Sequence, residues 1–163
     1  LLKGLRANLF DVVVAMTPHG PAEGAFMTWR EPISWFGSPE AHARLAQEDP
    51  LRIVCYPEGC LYRRNMLSAL QNVGRGFEIV YSSPSISGIS AAVKTGFGFT
   101  VLADRLVQHE LQRLGPHDGL PKLADVVVGV YLSKSLGSTA AQSIAARLST
   151  LFVAGEPVAK GAA

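Results

Sequence analysis

Short apolar runs alternate along this chain with segments whose apolar residues recur at helical spacing. Residues 10–16 form a near-continuous apolar run, FDVVVAM, which is typical of a strand covered on both faces. Apolar positions three or four residues apart predict a long helix over 60–73. The remaining predicted elements are strands or extended segments at 25–29, 32–36, 51–56, 77–81 and 125–132, and helices at 39–47, 104–114 and 139–153. This alternation predicts an α/β protein with helices on both faces of mainly parallel sheets.

The most regular stretch is Tyr81–Leu102, which predicts a strand end, a turn, a helix capped by Ser85 and a second strand. Such a unit favours parallel strands joined by a right-handed crossover. Its turn holds Ser82, Ser83, Ser85 and Ser87. Turns at the carboxyl ends of strands are common ligand sites in open α/β sheets, and helix N–H groups there attract anions. The serines either serve a ligand or only cap the helix and fill the turn.

Composition limits the class of protein. The chain has 163 residues, 48% hydrophobic and 17% charged, which suits one ordinary domain or two small lobes. The net charge of +2 is too small to indicate a nucleic-acid surface by itself. No apolar run reaches membrane-spanning length, and residues 1–10 do not have the pattern of a signal peptide.

The two cysteines give little evidence of chemistry. Cys55 and Cys60 form a C-x4-C pair with no second pair to complete a zinc site. A disulfide across this loop would suit an exported protein, and a catalytic thiol would need a nearby histidine. We expect both thiols to be reduced and non-catalytic. No nucleophile–base pair, metal set or phosphate loop stands out, so we expect neither an enzyme nor a bound cofactor or metal.

Five segments together resemble the effector-binding domain of LysR-type transcriptional regulators. They are LLKGLRANLFDVVVAM, EPISWFGSPE, LRIVCYPEGCLYRRNMLSALQNVG, FEIVYSSPSISGISAAVKTGFGFTVLADRLV and LADVVVGVYLSKS. PEGCLYRR together with YSSPSISG is most similar to a subgroup of motility and virulence regulators.

The resemblance implies an α/β, type 2 periplasmic-binding-protein-like fold, with two lobes joined by two crossing strands. It places residues 1–37 in the first lobe and 38–124 in the second, and 125–163 return to the first. It also implies that the first lobe is incomplete here, and that the N-terminal winged helix-turn-helix lies outside this chain.

In this family a small molecule binds between the lobes, and the resemblance implies a set of contact residues. Arg63 or Arg64 could pair with an anionic ligand or remain solvated. Tyr62 could lie in the cleft or in the core, and Trp29 and Trp35 are expected to be packing residues. The expected ligand-binding residues are Thr17, Glu58, Gly59, Cys60, Tyr62, Ser82, Ser83 and Ser85.

The resemblance implies a cytoplasmic regulator that relays effector binding to an attached DNA-binding domain. It implies a homodimer or homotetramer, with helix 60–73 as one contact surface, and contact with DNA only through the missing N-terminal domain. No membrane association is expected. A solute-binding receptor of a transport system, which has the same fold, is the alternative, and an enzyme acting in the same cleft is a third hypothesis.

Overall fold

The computed structural model describes residues 1–18, 20–107 and 111–133, together with 139–140, 143–144 and 146–148. The chain divides into two compact units. The first unit comprises Leu1–Glu31 and the return segment from Asp125, and the second unit is the continuous segment Pro32–Ala124. The boundary after Glu31 precedes the expected one at Ser38, because the strand that follows pairs within the second unit.

The first unit has a three-stranded antiparallel sheet in the order β1-β8-β2. One face packs Val13 and Tyr131 against Leu5 of the short helix α1. The other face carries a cluster of Trp29, Val128 and Val130, against which Leu148 packs. Its elements are α1 (Leu2–Arg6), β1 (Val12–Thr17), β2 (Ala25–Glu31) and β8 (Val126–Leu132).

The second unit contains the remaining elements. The parallel pair β4–β5 lies beside the antiparallel order β6-β3-β7, and a parallel bridge from Ile53 to Phe99 joins the two. Strand β4 is the centre of the core, since Leu51, Ile53 and Val54 are fully buried. The elements are β3 (Ile33–Gly37), α2 (Pro39–Arg44), β4 (Leu51–Cys55), α3 (Leu61–Asn72), β5 (Phe77–Ser82), α4 (Ile86–Lys94), β6 (Thr100–Ala103) and β7 (Gln112–Leu114).

The expectation of mainly parallel sheets was wrong. Among the described strands only the β4–β5 ladder is parallel, and the ladders of β1, β2, β3, β6, β7 and β8 are antiparallel. Strands β5 and β6 do not pair directly, because β4 lies between them. They still run in the same direction, since β4 pairs in parallel with β5 and bridges in parallel to Phe99.

The helix expected over 104–114 was also wrong. Asp104–Leu106 forms one 3₁₀ turn, and Gln112–Leu114 forms β7 on the edge of β3. Residues 108–110 lie outside the described residues. The apolar spacing of Leu106, Val107 and Leu111 fits a helix, but pairing of Trp35 with Leu114 gives this segment backbone partners that local spacing does not reveal.

The expected burial of strand β1 also needs correction. Its apolar sequence indicated cover on both faces, but the side chains of Val14 and Met16 are 36% and 39% exposed. Strand β1 is an edge of its sheet and pairs only with β8 among the described residues. For the expected helix 139–153, the described residues of 139–148 are helical, and the rest lies outside the described ranges.

Candidate functional site

Two loops of the second unit start at the same edge of the sheet, because β4 and β5 are parallel and end opposite each other. Cys55 pairs with Ser82 at the end of both strands. One residue further on, the Ser83 amide donates a hydrogen bond of 3.1 Å to the Cys55 carbonyl oxygen. The loop 56–60 that leads to α3 and the serine turn 83–85 that leads to α4 are therefore held side by side. We call this edge, with both loops, the serine edge.

The Ser83 side chain stabilises the turn itself. Its side chain is buried, at 9% exposure, and its Oγ accepts a hydrogen bond of 3.2 Å from the Ser85 amide. Gly88 lies directly above it: a Cβ at Gly88 would be 2.8 Å from Ser83 Oγ and 3.2 Å from the Tyr81 hydroxyl. The Ser83 hydroxyl is therefore packed under the first turn of α4, and its first role is structural.

Ser82 and Ser85 are exposed residues of the turn, and Ser87 in the first turn of α4 is exposed as well. Ser85 is the N-cap of α4, as expected, but its side chain makes no capping hydrogen bond. Ser85 immediately precedes the first N–H groups of a nine-residue helix, which attract negative charge. Ser87 differs from both, since it lines a separate hollow of about 270 Å³ with Ile86, Ser90, Ala91, Lys94 and Leu106.

The loop after β4 contributes Glu58, Gly59 and Cys60. Glu58 and Gly59 are exposed, and Gly59 has a φ of +87°, which a glycine adopts without strain. Cys60 is half-buried at the N-cap of α3 and makes no side-chain capping bond. Both cysteines are free thiols in this structure.

Tyr62 belongs to the core and not to the exposed edge. It is 7% exposed, and its ring lies 6.2 Å from the ring of Tyr56 at an angle of 44°. Tyr56, which the sequence interpretation did not select, is half-buried directly after β4 and offers the aromatic surface at this edge. Its position immediately beyond a buried strand was the signal that could have identified it.

Arg63 links the start of α3 to the end of β4 by hydrogen bonds. Its Nη1 donates to the Cys55 Sγ at 3.4 Å and to the Tyr56 carbonyl oxygen at 3.2 Å. Burial raises the pKa of the Cys55 thiol, an effect that the Arg63 guanidinium opposes. Burial, and then Cys60, raise the pKa of Tyr56. Both groups are neutral at pH 7, and Arg63 contacts a carbonyl and a thiol, whereas Arg64 is exposed.

Thr17 belongs to the first unit, where it ends β1. Its Oγ1 donates to the Val127 carbonyl oxygen at 3.3 Å, so its hydroxyl proton is already used within its own sheet. The two tryptophans are 1% exposed, as expected of packing residues. The indole N–H of Trp29 donates to Glu31, and that of Trp35 donates to the Pro121 carbonyl oxygen.

Comparison with known families covers almost the whole chain. The model of the LysR substrate binding domain matches residues 1–151. The chain belongs to the LysR substrate-binding domain family. The expected type 2 periplasmic-binding-protein-like α/β fold is therefore confirmed, and the alternative of a transport receptor is not favoured.

Three relatives illustrate this LysR domain's similarities. It is 33% identical over 94 residues to the HTH-type transcriptional regulator PecT of Dickeya dadantii, covering 58% of this chain and 29% of PecT. It is 28% identical over 132 residues to the regulator DgdR of Burkholderia cepacia, covering 81% of this chain and 43% of DgdR. The effector binding domain of QuiR in complex with shikimate matches with a TM-score of 0.61 and 13% identity, over 93% of this chain and 77% of that one.

The LysR domain thus spans less than half the length of either curated relative, both of which are transcriptional regulators. Within the described ranges, no group of three or more His, Cys, Asp or Glu side chains could hold a metal ion. In the same ranges, no helix has both the length and the apolar character needed to cross a membrane.

Proposed function

We propose that this domain binds a small polar effector at the serine edge, through Ser82, Ser85 and the loop 58–60. The observation that carries the proposal is the Ser83–Cys55 hydrogen bond, which holds the two loops together beside the exposed residues Ser82 and Ser85. Gly59 and Cys60 contribute backbone and thiol surface beside them. Ser83 is a positioning residue, because its hydroxyl accepts the Ser85 amide.

The chemistry of this edge favours a hydroxylated small molecule or a small carboxylate. Hydroxyls donate and accept hydrogen bonds, and the N-terminus of α4 adds backbone donors and a partial positive charge. Tyr56 supplies a ring against which an apolar portion can pack. QuiR in complex with shikimate, a structure of the same fold, supports this ligand class.

In the full-length protein we expect effector binding to favour one arrangement of the regulatory domain, and so to control transcription through an attached DNA-binding domain. The names of PecT and DgdR support a helix-turn-helix partner domain. We further propose a cytoplasmic homodimer or homotetramer that binds without catalysis. The exposed face of α3 is the contact surface proposed for this assembly.

Thermal unfolding against a panel of small hydroxy acids, aromatic acids and neutral polyols tests the site. A ligand at about 100 times its dissociation constant adds about 2.7 kcal/mol of stability. Ser85→Ala should remove most of this stabilisation, since Ser85 is exposed and its side chain makes no capping hydrogen bond with α4. Ser68→Ala, an exposed serine on α3, is the matched control and should keep it.

Two outcomes count against the proposal. A stabilising ligand whose effect survives both Ser82→Ala and Ser85→Ala binds elsewhere in the domain. A panel in which no compound raises the unfolding temperature argues against a small-molecule effector of these classes.

A further inference from the structure

The Arg63 guanidinium has one side fixed and one side open. Its Nη1 donates to the Cys55 Sγ at 3.4 Å and to the Tyr56 carbonyl oxygen at 3.2 Å, and these bonds hold the guanidinium against the end of β4. Among the described residues, no acceptor forms a hydrogen bond with its Nε or Nη2. Because Arg63 is only half-buried, the side formed by Nε and Nη2 is available to a ligand.

The charge on Arg63 has no acidic partner among the described residues. Its contacts are a thiol, whose pKa is raised by burial, and a carbonyl oxygen. Glu58, the only acid in loop 56–60, is exposed and is not among the groups that Arg63 contacts. The first turn of α3 also holds no acid, and positive charge near a helix N-terminus is destabilising unless an anion compensates it. The start of α3 therefore carries an uncompensated positive charge beside the serine edge.

We propose that the effector carries a carboxylate, and that Arg63 binds it through Nε and Nη2 as its counter-charge. This inference rests on the proposed function, since it names the ligand class of the same site. A carboxylate is planar, and its two oxygens match two neighbouring guanidinium N–H groups in a pair of parallel hydrogen bonds. A primary amide of the same skeleton offers one oxygen and no charge. Arg63 therefore makes the site select an acid over its amide.

The structure separates Arg63 from its neighbour Arg64, although the sequence allowed either to pair with an anion. Arg64 is exposed, and its side chain forms no hydrogen bond or ion pair with a described residue. The contacts of Arg63 with β4 hold its guanidinium in place, so less side-chain entropy is lost when a ligand binds. Arg63 is therefore the specificity-determining cation, and Arg64 provides the matched control.

Nuclear magnetic resonance of the isotope-labelled chain tests Arg63 without knowledge of the effector. Acetate, a minimal carboxylate, and acetamide are titrated at constant ionic strength. The Arg63 Nε–H resonance, identified by its loss in Arg63→Lys, should shift to saturation with acetate and stay in place with acetamide. The Arg64 Nε–H resonance should change little and without saturation. The inference is overturned if Arg63 does not respond, if Arg64 responds equally, or if acetamide causes the same shift.

Matched pairs of acids and primary amides from the effector panel then give the selectivity. The wild-type domain should bind each stabilising acid at least about tenfold more tightly than its amide. Arg63→Lys should remove most of this preference, because an ammonium group lacks the planar fork, and Arg64→Lys should keep it. Since the preference is a ratio within one variant, a change in stability alone does not alter it.

Failure of this inference is distinguishable from failure of the proposed function. A ligand that needs Ser85 but binds equally well as acid and as amide overturns the role of Arg63 and leaves the proposed function intact. A ligand that selects the acid but survives both Ser82→Ala and Ser85→Ala overturns the proposed function, and this inference with it.

Discussion

The Ser83 amide and the Cys55 carbonyl oxygen are joined by a hydrogen bond of 3.1 Å across the ends of two parallel strands. This bond extends the β4–β5 ladder beyond the Cys55–Ser82 pair. It aligns the start of the serine turn with the end of β4, so both loops of the proposed effector site share one backbone frame. Changes to residues that pack against these two loops should therefore affect the stability of the domain more than its ligand selectivity.

Gly88→Ala should destabilise the domain, although alanine is the better helix former by about 0.5–1 kcal/mol. The new Cβ would lie 2.8 Å from Ser83 Oγ, which cannot swing away without losing the Ser85 amide. We expect a net loss of about 1–2 kcal/mol, within the usual cost of overpacking. Urea denaturation measures it.

The double variant Ser83→Ala/Gly88→Ala separates this clash from other effects. The double variant should lose less free energy of unfolding than the two single variants together, by about 1 kcal/mol, a coupling typical of residues in contact. Gly115→Ala is the control, since its backbone is extended and nothing lies within 4 Å of the added methyl group. Strict additivity at Ser83 and Gly88 would contradict the close contact.

Gly98→Ala should lower the free energy of unfolding by more than Gly88→Ala does. Its Cβ would lie 2.5 Å from the Arg52 carbonyl oxygen, which is backbone and already accepts the Phe99 amide at 2.8 Å. Relief requires β4 and the start of β6 to separate, so we expect a loss of about 3 kcal/mol or more. A thermal midpoint close to that of the wild type would show that the two strands can move apart cheaply.

Stability should fall as the pH rises above about 9. The pKa values of Cys55 and Tyr56 are raised in the folded protein from ordinary values of 9.0 and 10.0. Above those values the unfolded chain releases protons that the folded chain keeps, so the unfolded state gains stability. The contribution of each group is complete below its unfolded pKa and disappears as the pH passes its folded pKa.

The free energy of unfolding, measured by urea denaturation at a series of alkaline pH values, checks this direction. Cys55→Ala and Tyr56→Phe should each make the alkaline decline shallower, whatever they do to stability at pH 7. Ser68→Ala should keep the full decline. If both variants at positions 55 and 56 follow the wild-type slope, other groups control the alkaline stability.

Trp35→Phe should lower the free energy of unfolding by more than the lost packing alone. The Pro121 carbonyl oxygen would lose the indole N–H that now lies 2.8 Å away, and leaving this partly buried acceptor unpaired costs up to about 1–3 kcal/mol. Asn65→Ala, which removes an exposed amide that donates to the Ala124 carbonyl oxygen, should cost far less. Equal losses in the two variants would contradict this assignment.

The sequence predicted best the elements that carry a local signal of their own. Helix α3 was expected over 60–73 and spans Leu61–Asn72, since its apolar residues repeat over three turns. Val73, the last residue of the predicted helix, is 61% exposed, because the helix has ended there. The helix prediction for 104–114 was wrong because the partner strand of this segment, β3, lies almost 80 residues earlier in the chain.

The serine turn shows how much of the candidate site could be predicted from the sequence. Four serines in six residues gave correct grounds for a turn and for Ser85 as N-cap. Their spacing could not show that Ser83 points inward, that Ser82 and Ser85 stay exposed, or that Ser87 lines a different hollow. Those directions depend on Gly88 and on the register of β4 with β5, which are tertiary features. The effector-contact residues therefore remain predictions.

The strand order β1-β8-β2 has a consequence for the order of events during synthesis. Strands β1 and β2 are adjacent in the chain but do not pair with each other. Both pair with β8, whose residues are synthesised about a hundred positions later. The second unit is one continuous segment whose last residue is synthesised before β8. We therefore expect the second unit to begin folding before the first, with the apolar strands β1 and β2 in need of protection from aggregation until β8 has left the ribosome.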